Sequence, residues 1–187
     1  MKKLVWLTLF VLFANLIVAC AKATPEVVEG MLKPGDKIGA MTVEEHLTST
    51  SYPPLRDYCG PYFEEKEPGT HTVDCDVPLI SRVLIDFGWG AKDKTTFESN
   101  WSSMTWKFYI DGYQINLGQF RQLEARGKSE TGVIQIGRSW IIELINLSPG
   151  KHTLRLSWTS EKPIDDGFDV YPAGTYESIK NFTVAEK

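Results

Sequence analysis

The amino-acid sequence predicts an all-β fold: an antiparallel β-sandwich carrying a turn-rich N-terminal extension. Three observations predict it. Apolar and polar residues alternate at period two in one segment after another beyond about residue 77. Turn residues recur at intervals short enough for short strands throughout. No helical periodicity of useful length is present, residues 119–126 offering one or two turns at most.

In chain order, the first body strand is marked by Leu79, Val83, Ile85 and Phe87, which share one parity and so one face of the sheet, with Ser81 the polar exception. A hairpin follows. Asp111-Gly112 lies between two alternating runs, as a type I′ turn requires. With those two residues as the loop, Ile110 faces Tyr113, Phe108 faces Ile115 and Trp106 faces Leu117, while Tyr109, Gln114, Lys107 and Asn116 occupy the wet face. A second hairpin is expected around Asn146-Leu-Ser-Pro149-Gly150, with Trp140, Ile142 and Leu144 before it and Leu154, Leu156 and Trp158 after it. Phe168 and Val170, a Pro172-Ala-Gly174 turn and a strand ending at Val184 complete the chain. Pro68-Gly-Thr-His71-Thr-Val is echoed by Pro149-Gly-Lys-His152-Thr-Leu, two turns that each launch a strand.

The stretch from Trp140 to Trp158 is similar in shape to the late hairpin of bacterial immunoglobulin-like or jelly-roll surface domains. The resemblance implies a sandwich of one of those two types and names no function.

The N-terminus reads as an export address. Lys2 and Lys3 form a positive start, and Leu4 to Ala19 is almost wholly apolar, too short for the ~20 residues of a spanning helix. Ile17-Val18-Ala19-Cys20 resembles a bacterial lipobox, which implies lipid attachment at Cys20 and anchoring on the extracytoplasmic side of the membrane. Two other readings stand beside it: signal-peptidase cleavage after Ala21-Lys22-Ala23, with Pro25 against it, and an uncleaved anchor. The odd count of three cysteines favours lipidation. With Cys20 acylated, Cys59 and Cys75 remain as a pair, and an oxidising compartment favours a disulfide closing a loop of about 15 residues, worth ~3 kcal/mol. The resulting division is a signal peptide at 1–19, a tether at 20–35 and one domain at 36–187, in which 36–76 is a stapled extension and 77–187 the main sheet body. Within the extension, Thr42 and Glu45 have capping-box spacing for a short helix.

Composition narrows the function. Twenty Lys+Arg against 24 Asp+Glu give a net charge of −4, so there is no basic excess to neutralise phosphates and no nucleic-acid partner is expected. No Gly-x-Ser-x-Gly elbow or comparable nucleophile motif accompanies His46, His71 and His152, which are expected to be solvated near turns. No catalytic residue and no cofactor is assigned. Asp165, Asp166 and Asp169 are a calcium candidate in a loop, but their spacing is not that of an EF-hand and Asp-Gly is an ordinary turn former.

The aromatics are more suggestive. Trp106, Trp140 and Trp158 fall on apolar faces and are expected in the core. Trp101 and Tyr109 share the parity of the wet hairpin face if that strand reaches back to residue 101, and Trp89 stands between Gly88 and Gly90 at a strand end. Exposed rings on a β-sandwich can stack on pyranose faces. The expectation is a non-catalytic envelope lipoprotein, binding carbohydrate or cell wall through Trp89, Trp101 and Tyr109. The alternatives are an accessory subunit of an envelope protein complex, docking through a sheet edge or the acidic loop, and a secreted hydrolase, for which the sequence offers no motif.

Overall fold

The computed structural model describes residues 30–47, 51–128 and 134–186. The leader, Cys20 and most of the tether lie outside the described residues. The strands are β1 (Lys37–Ile38), β2 (Met41–Glu45), β3 (Gly69–Val77), β4 (Arg82–Ala91), β5 (Met104–Ile110), β6 (Tyr113–Gln114), β7 (Leu123–Lys128), β8 (Ile134–Ile145), β9 (Gly150–Ser160), β10 (Ile164–Asp165), β11 (Val170–Tyr171) and β12 (Gly174–Val184). The helices are α1 (Arg56–Cys59) and α2 (Lys94–Ser103). None of these helices is long and apolar enough to cross a membrane.

Two five-stranded sheets form a β-sandwich. One runs β1-β2-β8-β4, with β7 placed after β2 along the same edge of β8; the other runs β3-β12-β9-β5-β6. Strict alternation makes the core. Val83, Ile85, Ile142 and Leu144 of the first sheet meet Phe108, Ile110, Leu154 and Leu156 of the second, and all eight have no exposed surface. A smaller cluster of Met104, Trp158, Ile164 and Tyr176 fills one end of the sandwich.

The first hairpin holds its predicted turn and register. Asp111 and Gly112 both take positive φ, 49° and 83°, Ile110 pairs with Tyr113, and Ile115 N donates to Phe108 O at 2.8 Å. The third pair does not form. The chain leaves the sheet through a 3₁₀ turn at Leu117–Gln119, and Trp106 pairs with Trp158 instead.

Four other expectations are corrected. The segments on either side of Asn146–Pro149 are not a hairpin: β8 belongs to one sheet and β9 to the other. Asn146 turns the chain with φ 57°, and buried Leu147 plugs the end of the core as the chain crosses. Thr42 to Glu45 is strand, not helix, because Met41 and Val43 are both inward and buried and their period-two demand outweighs a cap. The segment from 36 to 76 is no appendage: it supplies β2 to one sheet and β3 to the other, and Leu55 is fully buried. The second sheet is also mixed, since β3 runs parallel to β12.

Two helices escaped the sequence reading, the single turn α1 and the longer α2. α2 is rich in Ser, Thr and Asn, so neither propensity nor a clean apolar stripe announces it. Its cap does: Asp93 accepts from the Thr96 N–H at 2.9 Å, and Phe97 and Asn100 are buried beneath.

Candidate functional site

Strand β4 alternates cleanly to Phe87 and then reads Gly88-Trp89-Gly90. A Cβ on Gly88 would lie 2.1 Å from the Arg138 carbonyl oxygen, so only glycine lets β4 approach β8 this closely. Trp89 keeps the inward parity of Ile85 and Phe87 but sits where the sandwich opens. Its ring meets Trp158 and Tyr171 edge-on, at centroid distances of 5.3 and 5.0 Å.

The edge of β4 away from β8 is bonded at its two ends. Leu55 N donates to Leu84 O at 2.8 Å, and Lys92 N donates to Asp166 O at 2.9 Å. Between those points no strand lies along it among the described residues. A cleft of about 380 Å³ follows this gap. The segment after α1 forms one wall with Tyr62 and Phe63, the loop carrying Asp166 and Tyr171 forms the other, and Trp89 and Trp158 lie between. Cys59 and Cys75 are joined in a disulfide that fastens the first wall to β3. The Lys66–Asp169 ion pair connects that segment to the opposite loop.

Four side chains lining the cleft carry a buried polar atom with no hydrogen-bond partner among the described residues: Tyr62 OH, Asp86 Oδ1, Trp89 Nε1 and Trp158 Nε1. Leaving a buried polar group unpaired costs about 1–3 kcal/mol, and each of these four atoms has essentially no accessible surface. Asp86 gives its other oxygen, Oδ2, to Arg56. Burial nevertheless raises the Asp86 carboxyl above the ordinary range, outweighing the guanidinium. Burial first, then the charges of Asp166 and Asp169, pushes the Tyr171 phenol up to about 12, and burial with Asp86 raises that of Tyr62. Both phenols are therefore neutral hydrogen-bonding groups at ordinary pH.

The three aromatics singled out in the sequence do not form one platform. Trp89 lines the cleft. Trp101 is on α2, not on a strand, so its parity with Tyr109 carries no meaning; it packs against Phe97, Trp106 and Trp140, with the Arg138 guanidinium 5.3 Å from its ring centroid. Tyr109 lies on the outer face of β5 beneath Arg155, also at 5.3 Å. The Asp165–Asp169 loop is built from its own carboxylates. Asp165 accepts from Gly167 N, Asp166 Oδ1 accepts from Phe168 N and Asp169 N, and Asp169 pairs with Lys66. No group of three or more metal-ligating side chains gathers among the described residues. Tyr62, Asp86 and Tyr171 were not singled out in the sequence, and Trp158, expected in the core, is 1% exposed there. Nothing local marks an outward Asp in an otherwise apolar strand as the neighbour of Tyr62.

Two histidines expected in solvent are not free in it: His152 is buried, and the His46 side chain is 10% exposed. His46 packs against Glu143, which also accepts from Arg82 at 3.0 Å. His152 lies 2.8 Å from Asp111 Oδ2 through Nδ1, with Ser148 Oγ 3.3 Å from Nε2. Those three residue types are the members of a hydrolase triad, but the geometry is not one. The Ser148 carbonyl oxygen is nearer to Nε2, at 2.9 Å, and takes that nitrogen as a donor. His152 therefore ties the Asp111 turn to the β8–β9 crossing. His71 is exposed, as expected.

No family model and no curated protein matches the chain. Two solved structures resemble it. One is a complex of PbICP-C with falcipain-2, at 14% identity over 65% of this chain and 93% of the other, with a TM-score of 0.35. The second is the cysteine protease inhibitor EhICP2 from Entamoeba histolytica, at 13% identity over 65% and 91%, with a TM-score of 0.29. At those scores neither likeness carries a functional argument.

Proposed function

We propose that the chain is a non-catalytic envelope lipoprotein, anchored through lipid on Cys20, whose sandwich binds a carbohydrate of the cell wall or cell surface in the cleft beside Trp89. The observation that carries the binding half is a cleft of about 380 Å³ lined by Tyr62, Phe63, Trp89, Trp158 and Tyr171 beside the β4 edge. Clefts of this size with few polar groups among aromatic walls are the usual form of small-ligand sites. The anchoring half rests on the lipobox-like Ile17-Val18-Ala19-Cys20 and on the pairing of the other two cysteines. Of the sequence's three aromatic candidates, Trp89 alone enters this proposal.

The experiment is a titration of the full chain, held in a detergent without a sugar headgroup, against cell-wall fragments and neutral oligosaccharides, followed by intrinsic tryptophan fluorescence. A saturable change that disappears in Trp89→Ala and survives in Tyr109→Ala is expected. A response indifferent to Trp89, or no response across the panel, contradicts the binding half. Metabolic labelling with palmitate tests the anchor: label incorporation and membrane association are both lost in Cys20→Ser.

A further inference from the structure

We propose that the edge of β4 from Asp86 to Gly90 is a docking site for an extended, basic segment of another polypeptide, which joins the sheet as a further strand. The inference goes beyond carbohydrate binding and does not rest on it; a guest strand and a sugar would share the cleft and exclude one another. Backbone geometry carries it. Leu84 donates to Pro53 O and accepts from Leu55 N, and Lys92 donates to Asp166 O, all on the side away from β8. The register with β8 runs unbroken from Arg82 to Ala91, so period two turns the N–H and C=O groups of Gly88 and Gly90 to that same side. Neither glycine has a hydrogen-bond partner there among the described residues, and both are partly exposed. The cleft opens along one face of this edge. A hollow of about 300 Å³, lined by Gly88, Gly90, Gly137 and Ser139, opens along the other.

Edge strands are ordinarily blunted by lysine, proline or a bulge, and glycine within a strand marks close approach of another backbone. This edge has an unbroken register and two glycines. Strand addition draws its affinity from main-chain hydrogen bonds, so side chains at the rim decide which guest is accepted. Glu64, Glu65 and Glu67, in the segment that carries Tyr62 and Phe63, and Asp165 on the opposite loop are exposed and form no salt bridge among the described residues. Arg56 and Lys66 are committed to Asp86 and Asp169, and Lys92, at the end of the gap, does not offset four carboxylates. Phe168 and Val170, exposed on the same loop as Asp165, add apolar contact. The matching guest is an extended segment that alternates basic and apolar side chains.

The probe is a blocked heptapeptide alternating lysine with valine, titrated at low salt into the ¹⁵N-labelled full chain in the same sugar-free detergent, beside its glutamate-for-lysine counterpart. At saturation with the basic peptide, the Gly88 and Gly90 amides are expected to exchange with solvent at least about tenfold more slowly than in the free chain. The Phe87 and Trp89 amides, already in the ladder to β8, are expected to change little. Gly90→Pro removes an outward N–H without touching that ladder, and a Cβ at this position meets nothing closer than 3.6 Å. It is expected to weaken the peptide at least about tenfold, with its melting temperature showing that it has folded, whereas the conservative Gly90→Ala keeps the N–H and the affinity. A silent basic peptide, or an acidic counterpart that binds as well, overturns the proposal. So do Gly88 and Gly90 amides that already exchange slowly in the free chain, the mark of an edge closed by the protein itself or by a second copy. None of these outcomes touches the carbohydrate reading, which stands or falls on the sugar titration.

Discussion

Arg56 and Asp86 form an ion pair that uses only one oxygen of the carboxylate: Oδ2 meets the guanidinium, and Oδ1 stays buried without a hydrogen-bond partner among the described residues. One half of the pair comes from the disulfide-stapled segment and the other from β4, so the pair ties that segment to the strand beside the cleft. A group kept in a costly environment without compensation is where a stability gain and a functional loss should coincide.

Asp86→Asn should therefore not lower stability at pH 7. Burial raises the folded carboxyl above its ordinary 3.8, so below that pH the group is protonated in both states and costs nothing. As pH rises past 3.8 the unfolded chain ionises first, and native stability falls until the folded carboxyl has ionised too. The variant escapes that fall. Its melting temperature relative to the wild type should rise between pH 3 and pH 7, because the ion pair it forfeits includes a half-exposed Arg56 and is worth little. A difference that shrinks with rising pH would refute this.

Lys180 offers a parallel case away from the cleft. It points inward from β12, is 1% exposed and forms no salt bridge among the described residues. Burial lowers its pKa below 10.5. The folded state thus holds the proton less tightly than the unfolded one, and stability rises with pH as 10.5 is approached. Lys180→Met should stabilise the protein at pH 7 by on the order of 1 kcal/mol, with the advantage shrinking toward pH 11 in thermal melts.

The disulfide should matter to binding beyond its share of stability. Replacing Cys59 and Cys75 together by Ser should cost ~3 kcal/mol by the loop-closure account, since the bridge spans a sequence separation of 16. It should also weaken sugar binding under conditions where the variant is still fully folded, because Tyr62 and Phe63 belong to the released wall. Denaturation and titration of the same sample separate the two effects.

Two glycines facing β8 should behave differently. Gly88→Ala forces a methyl to 2.1 Å from a backbone oxygen and should cost on the order of 2 kcal/mol or prevent folding, whereas a Cβ on Gly127 in β7 meets nothing within 4 Å and Gly127→Ala should be nearly neutral. Denaturant midpoints of the two variants check this.

The sandwich was legible because the inward residues of β4, β5, β8 and β9 alternate without a break, and because Asp111-Gly112 is the turn that a right-handed twist demands. What alternation cannot state is which sheet a strand joins. Both sides of the 146–149 connection are inward-apolar, so a hairpin and a sheet-to-sheet crossing look alike, and β3 beside β12 is a pairing of distant segments. Trp89 was legible for a local reason, its two flanking glycines. Asp86 and Tyr62 become neighbours only when the segment stapled by Cys59–Cys75 folds onto the free edge of β4, a contact no local pattern encodes. Trp101 misled because a capped helix interrupts the period-two series.

The most direct measurement records the indole N–H resonances of the full chain by ¹⁵N NMR before and after saturation with a neutral tetrasaccharide. The Trp140 indole already donates to the Leu117 carbonyl at 3.2 Å and serves as an internal reference. If the cleft binds sugar beside Trp89, the Trp89 resonance moves strongly and Trp140 stays in place. If Trp89 is unmoved at saturation, or all the indoles shift alike, the cleft is not the binding site and the account is wrong.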